Sequence, residues 1–185
     1  ELRHVAQLLE DAGPGKLVPN QVAQLTDPGT TLGGARPKNV VEDGDGLWIA
    51  KFPQRSDRWN NAAVEGAMLA LAARCAIRTP DTRVETVGSD HVLLVKRFDR
   101  ARTDEGYVRH RMVSSLTVRD ADDHVAQRAY SPYILLADEL RRWSERPEED
   151  RTEVFLLAVF SAVFYNPDDH PRNHEGIGAG RAWHL

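Results

Sequence analysis

The chain has 185 residues, 41% hydrophobic and 28% charged, with 24 Lys and Arg against 28 Asp and Glu and a net charge of −4. That length suffices for one substantial core or two small lobes, and the mildly acidic balance excludes the general electrostatic footprint of a nucleic-acid binder. The single cysteine, Cys75, excludes an internal disulfide and a cysteine-built zinc site. A reducing, cytoplasmic setting is therefore expected. The longest apolar run, Val154 to Tyr165, is too short to span a bilayer, and no basic segment followed by an apolar one opens the chain. The chain starts at Glu1 without a methionine and ends on Arg181-Ala182-Trp183-His184-Leu185, which reads as the middle of a strand, so a fragment of a longer protein is expected.

Leu2 to Ala12 places Val5, Leu8 and Leu9 on one helical face, and Gly13-Pro14-Gly15 ends that helix. Further helical turns are expected over Pro19 to Leu25, then a flexible loop from Asp27 to Gly34. Pro37 to Glu42 and Leu47 to Phe52 read as strands joined by the turn Asp43-Gly44-Asp45-Gly46. Ala62 to Ala76 is rich in strong helix formers. Three strand-like pieces follow, Thr82 to Val87, His91 to Phe98 and Tyr107 to Met112. Beyond Ser114 the pattern turns helical, with a polar loop over Asp120 to Gln127 and helices over Ser131 to Trp143 and Glu148 to Tyr165. A sheet-rich half, residues 1–100, followed by a helical half, residues 101–185, describes an α+β, two-lobed architecture with a cleft.

Four segments could carry chemistry. Asn166-Pro167-Asp168-Asp169-His170-Pro171-Arg172-Asn173-His174 follows a strongly apolar helix that its prolines cannot continue. In kinase loops a catalytic Asp orients the substrate hydroxyl and an Asn five residues on ligates a metal, the spacing of Asp168 and Asn173. From position 169 the same register would need Asn where His174 stands. A solvated, capping turn is the plain alternative. His170 and His174 stand four apart, which on a helix would suit zinc or manganese, although Pro171 lies between them.

The second segment is the loop Gly29 to Lys38, whose glycines, Gly33 and Gly34 among them, let backbone amides approach phosphate. It is no Walker loop, because Ala35 stands where lysine is required. A plain linker is the alternative. In the third, Trp48 to Phe52, Lys51 lies among apolar neighbours and Glu65 on the next helix could pair with it, the arrangement that holds nucleotide phosphates in kinases. Otherwise Lys51 reaches solvent from an edge strand and Glu65 is a surface residue. The fourth, Leu93 to Arg100, turns from apolar to polar where a hinge between lobes would lie, with backbone available to adenine, or is simply a structural strand with a basic end.

Taken in order, TLGGARPK, WIAKFP, the helix with Glu65, LLVKRFDR and NPDDHPRNH, spread over Thr31 to His174, resemble the HipA family, the kinase toxins of bacterial toxin–antitoxin pairs. The resemblance implies a two-lobed Ser/Thr protein kinase fold with ATP and magnesium. Lys51 would hold the ATP phosphates with Glu65 as its partner, and Lys96, Arg97 and Phe98 would form the adenine hinge. Asp168 would be catalytic, His170 a nucleotide-side contact and Asn173 the magnesium ligand. Thr31, with Thr30 beside it, matches the residue whose autophosphorylation ejects the Gly-rich loop in this family. Two phosphate charges there would repel a phosphate-cradling loop.

The family's second magnesium aspartate follows a strand like AWHL and lies past Leu185, and the stretch before Thr31 is too short for the N-terminal subdomain of longer relatives. The catalytic lobe is therefore expected to be incomplete. The resemblance also implies an antitoxin partner of HipB type through which DNA contact mainly runs, and a substrate in the translation apparatus. DDHPRN resembles the loop of small-molecule phosphotransferases as well, and a pseudokinase that binds nucleotide or antitoxin is the non-enzymatic alternative.

Overall fold

A computed structural model describes residues 36, 38–44, 46–54, 56–88, 90–118, 132–166, 173–179 and 182–185. The expected helices at Leu2 to Ala12 and Pro19 to Leu25, the loop with Thr30, Thr31, Gly33 and Gly34, the Asp120 to Gln127 loop, and Asp168 and His170 lie outside them. The chain divides into two compact units, one holding Thr79–Phe98 and the chain up to Leu71, the other Ala72–Arg78 and Asp99–Leu185.

The first unit is built on β1 (Lys38–Asp43), β2 (Gly46–Lys51), β3 (Thr82–Val87) and β4 (Asp90–Lys96), paired antiparallel in the order β1-β2-β4-β3. The expected hairpin forms with Asp43 opposite Gly46, a glycine at φ 143°, where a side chain would be strained. Helix α1 (Asn61–Arg74) is N-capped by Asn60, whose Oδ1 accepts the Ala63 N–H at 2.9 Å. The run Val92-Leu93-Leu94-Val95 is buried throughout because β4 is covered on both faces. Leu93 and Val95 pack with Ala62 and Leu69 of α1, while Val92 and Leu94 pack with Val41, Trp48, Ala50 and Phe52 on the opposite face. Each of these strands was expected from the sequence, with shifts of a residue or two at the ends. The largest shift is at β4, which ends at Lys96, so Arg97 and Phe98 lie past the strand.

The second unit departs further from expectation. Instead of one strand over Tyr107 to Met112 there are β5 (Arg100–Thr103), β6 (Gly106–Arg109) and β7 (Arg111–Ser114), the first two forming a hairpin and the third belonging to another sheet. The break falls at His110, whose N–H donates to the Asp99 carbonyl at 3.0 Å. A one-turn helix, α2 (Ser115–Val118), follows β7. Strand β7 pairs with β8 (Glu175–Ala179), which pairs with β9 (Ala182–His184), the strand anticipated at the end of the chain. Helices α3 (Pro132–Trp143) and α4 (Pro147–Phe164) bury Leu136, Leu140 and Val154 between them, with Tyr133, Trp143 and Leu185 packed alongside. A second apolar row on α4, Phe155, Val159 and Val163, is exposed. Among the described residues no helix is long and apolar enough to cross a membrane.

Candidate phosphoryl-transfer site

Lys51 and Glu65 are brought together. Lys51 lies opposite Leu93 across the β2–β4 ladder, and Leu93 faces α1, so the alternation of the pleat sends Lys51 to the face that the helix covers. There its Nζ donates to Glu65 Oε1. The approach of α1 depends on Gly66, where an added Cβ would stand 2.9 Å from Val84 Cγ2 and 3.4 Å from Leu93 Cδ1. A branched side chain at Gly66 would lift the helix that carries Glu65. Gly66→Val is expected to cost roughly 1–3 kcal/mol, read as an earlier urea midpoint, because the crowded interface cannot take the added volume. An unchanged midpoint would remove Gly66 from this account.

The hinge residues are placed differently from one another. The Lys96 N–H donates to the Asp81 carbonyl at 2.9 Å and the Arg97 N–H to the Leu47 carbonyl at 2.8 Å, so both amides serve the sheet. The Lys96 ammonium stands 3.5 Å from Asp81 and 5.6 Å from the centre of the buried Trp48 ring, which also carries the Arg83 guanidinium at 4.5 Å. Phe98 is 51% exposed.

In the second unit both shoulders of the Asn166–His174 segment are anchored. Helix α4 stops at Tyr165 in the left-handed region, φ 48°, a conformation that a tyrosine rarely adopts. The Asn166 N–H closes the end by donating to the Ser161 carbonyl at 3.1 Å. Proline at 167 denies Asn166 the helical region, so the helix must end there. On the far side His174 is buried, its ring 5.1 Å from that of Tyr133 in an edge arrangement, and its carbonyl accepts the Ser115 N–H at 2.8 Å. Tyr133 in turn donates its hydroxyl to Ser161. Asn173, just before His174, is exposed. Its carboxamide oxygen is a hard donor of the kind magnesium takes. Next to it, partial desolvation and then the Asp99 charge push the Glu175 carboxyl up from its ordinary value, although the residue as a whole is exposed. Among the described residues no three His, Cys, Asp or Glu side chains gather as a metal site, and His170, the other half of the zinc or manganese alternative, lies outside them.

Two features escaped the sequence reading. Arg36, inside the GGARPK motif, bridges to Asp57 with both guanidinium nitrogens. Asp150 is fully buried and accepts from Arg78, Ser144 and the Leu185 N–H at 2.7, 2.6 and 3.0 Å. Burial works against the Arg78 charge, but its bonds to Asp150 and Glu153 outweigh that and hold its pKa above the ordinary value. The motif made Arg36 conspicuous; nothing local marks Asp57 or Asp150.

The fold matches solved structures closely enough to define its class. HipA of Shewanella oneidensis MR-1, solved with HipB and its operator DNA, superposes with a TM-score of 0.68 at 15% identity, covering 97% of this chain and 47% of that one. The proinflammatory kinase CtkA of Helicobacter pylori superposes at 0.57 and 14% identity, covering 79% of this chain and 50% of that one. The chain thus has a kinase-like fold and spans about half the length of these two proteins. No curated protein sequence matches it. A family model, the HipA-like C-terminal domain, matches residues 30–185, and the chain belongs to that family.

Proposed function

We propose that this chain is the nucleotide-binding and catalytic part of an ATP- and magnesium-dependent Ser/Thr protein kinase, a HipA-like toxin. The observation that carries the reading is the Lys51–Glu65 pair, a strand lysine met by a glutamate on the following helix, in a chain of this family. Lys51 would hold the nucleotide phosphates, with Glu65 fixing its ammonium. Since the Lys96 and Arg97 amides are spent in the sheet, a nucleobase contact from this stretch would fall on the backbone of Phe98 or on the neighbouring carbonyls. Gly33 and Gly34 would lay backbone amides on the phosphates, and His170 would touch the nucleotide side.

Asp168 would accept or orient the proton of the attacking hydroxyl, and Asn173 would ligate magnesium, which when bound offsets the charge on the phosphates. The residues flanking the segment, Tyr165 and His174, are anchored. Thr31, or Thr30 beside it, would be the site of inactivating autophosphorylation. An antitoxin of HipB type would be the partner, by analogy with the complex in which the Shewanella protein was solved, with DNA contact mainly through it. The substrate would be a protein of the translation apparatus, met in the cytoplasm.

Incubation with radiolabelled ATP and magnesium tests the reading. Asp168→Asn is expected to lower label incorporation by at least about a hundredfold relative to the wild-type chain, the scale of losing a positioned acid–base group. Persistent label on the variant would sink the role given to Asp168.

A further inference from the structure

Lys38 lies opposite Lys51 across the β1–β2 ladder, so Arg36, two residues before Lys38, stands at the sheet end that carries the Lys51–Glu65 pair, in a second ion pair whose partners are better matched. Arg36 gives Nη1 to Asp57 Oδ2 at 3.0 Å and Nη2 to Oδ1 at 2.8 Å, a forked contact. Asp57 is readied for it by its own turn: its N–H donates to the Gln54 carbonyl at 2.9 Å, and its Oδ2 accepts the Gln54 N–H at 2.9 Å. Arg36, then the Gln54 N–H, hold the Asp57 carboxyl well below the usual carboxylate range, so it stays charged at any physiological pH. Arg36 in turn is held above its ordinary value by Asp57 and also feels the charge of Glu65. At this end of the ladder Glu65 thus has the ammonium it binds and, in the same neighbourhood, a guanidinium occupied by Asp57. A planar guanidinium fork is the stronger partner for a carboxylate. Left without Asp57, Arg36 would compete with Lys51 for Glu65.

We propose that Asp57 is a positioning residue of the phosphate site: by occupying the Arg36 fork it leaves Glu65 to Lys51. The inference rests on the nucleotide-binding reading of Lys51. It makes an unusual demand, that removing Asp57 is harmful because Arg36 remains, so that deleting Arg36 as well restores binding. A merely structural bridge would show no such rescue, since losing both partners is no better than losing one.

Calorimetric titration of ATP with magnesium into the wild-type chain, Asp57→Asn, Arg36→Gln and the double variant tests this. Asparagine at 57 keeps an acceptor for the Gln54 N–H while removing the charge. Its affinity is expected to fall about three- to tenfold, the range of one weakened charge-assisted contact. Arg36→Gln loses less, and the double variant returns to the level of Arg36→Gln. A double variant as weak as Asp57→Asn overturns the proposal, as does an Asp57→Asn that binds like the wild type. Should Asp57→Asn lack a cooperative thermal transition, Asp57→Ser, which also keeps an acceptor for Gln54, takes its place under the same criteria. Absence of ATP binding by the wild-type chain overturns the nucleotide reading itself, whereas wild-type binding without rescue overturns only the role of Asp57.

Discussion

Lys51→Met is expected to lower phosphoryl transfer from ATP by roughly 10²- to 10³-fold, the loss that follows removal of one preorganised charged donor from a transition state, with the fold intact. The separation of the two effects comes from the setting of the pair. Side-chain exposure is 31% for Lys51 and 42% for Glu65, so water screens the attraction. Pairs so placed contribute at most about 1 kcal/mol to stability. Methionine keeps an unbranched apolar stem of similar reach beside Leu93, so the packing between β2 and α1 changes little. If Lys51 holds the nucleotide phosphates as proposed, the lost ammonium is felt in the reaction and not in the fold. Label incorporation at saturating ATP, set beside a thermal melt, checks both halves. A variant that melts far below the wild type would make Lys51 a structural residue, and one with undiminished transfer would remove it from the site.

Asp150→Ala is expected to destabilise the chain by about 3 kcal/mol, the cost of leaving buried donors and a guanidinium without their acceptor. At roughly 2–4 °C per kcal/mol for a chain of this size, the midpoint falls by about 6–12 °C. Three donors converge on the one carboxylate: Arg78 from the segment after α1, Ser144 from the turn between α3 and α4, and the Leu185 N–H from the end of β9. Arg78 also binds Glu153, its backbone N–H to Oε1 at 2.6 Å and Nε to Oε2 at 2.9 Å, so the contact is redundant at one carboxylate and irreplaceable at the other. Asp150→Asn keeps an acceptor and should lose less than alanine does. Urea unfolding of both variants followed by tryptophan fluorescence provides the measurement. A loss under about 1 kcal/mol for the alanine variant, the scale of an ordinary substitution, would show that the convergence adds little.

How much of this was legible beforehand follows from the range of the interactions. The apolar Val92–Val95 run announced a strand, and the glycines around Asp45 announced the β1–β2 hairpin, because both signals lie within a few residues. The helices α3 and α4 were equally plain. Strand β8, Glu-Gly-Ile-Gly-Ala, was not. Its composition disfavours a strand, and it forms because β7 and β9 pair with it and because Trp143 lies on Gly176, where an added Cβ would come within 2.8 Å of the ring. The Lys51–Glu65 pair was legible through order and resemblance. That the Arg97 amide is spent on Leu47 could not be read from LLVKRFDR, since every residue of that stretch carries the same amide.

The sequence by itself determined the family, the order along the chain of the four strands of the first sheet and the places of the main helices. Periodicity and turn chemistry act over a few residues and survive without a folded context. Only the tertiary structure decided which carboxylate meets which cation. Arg36 and Asp57 stand 21 residues apart, and Arg78 and Asp150 stand 72 apart. Among 28 acidic residues nothing local distinguishes Asp57 and Asp150. Ion pairs are chosen by distance in space once burial has selected the geometry, and that choice leaves no trace in the neighbouring letters.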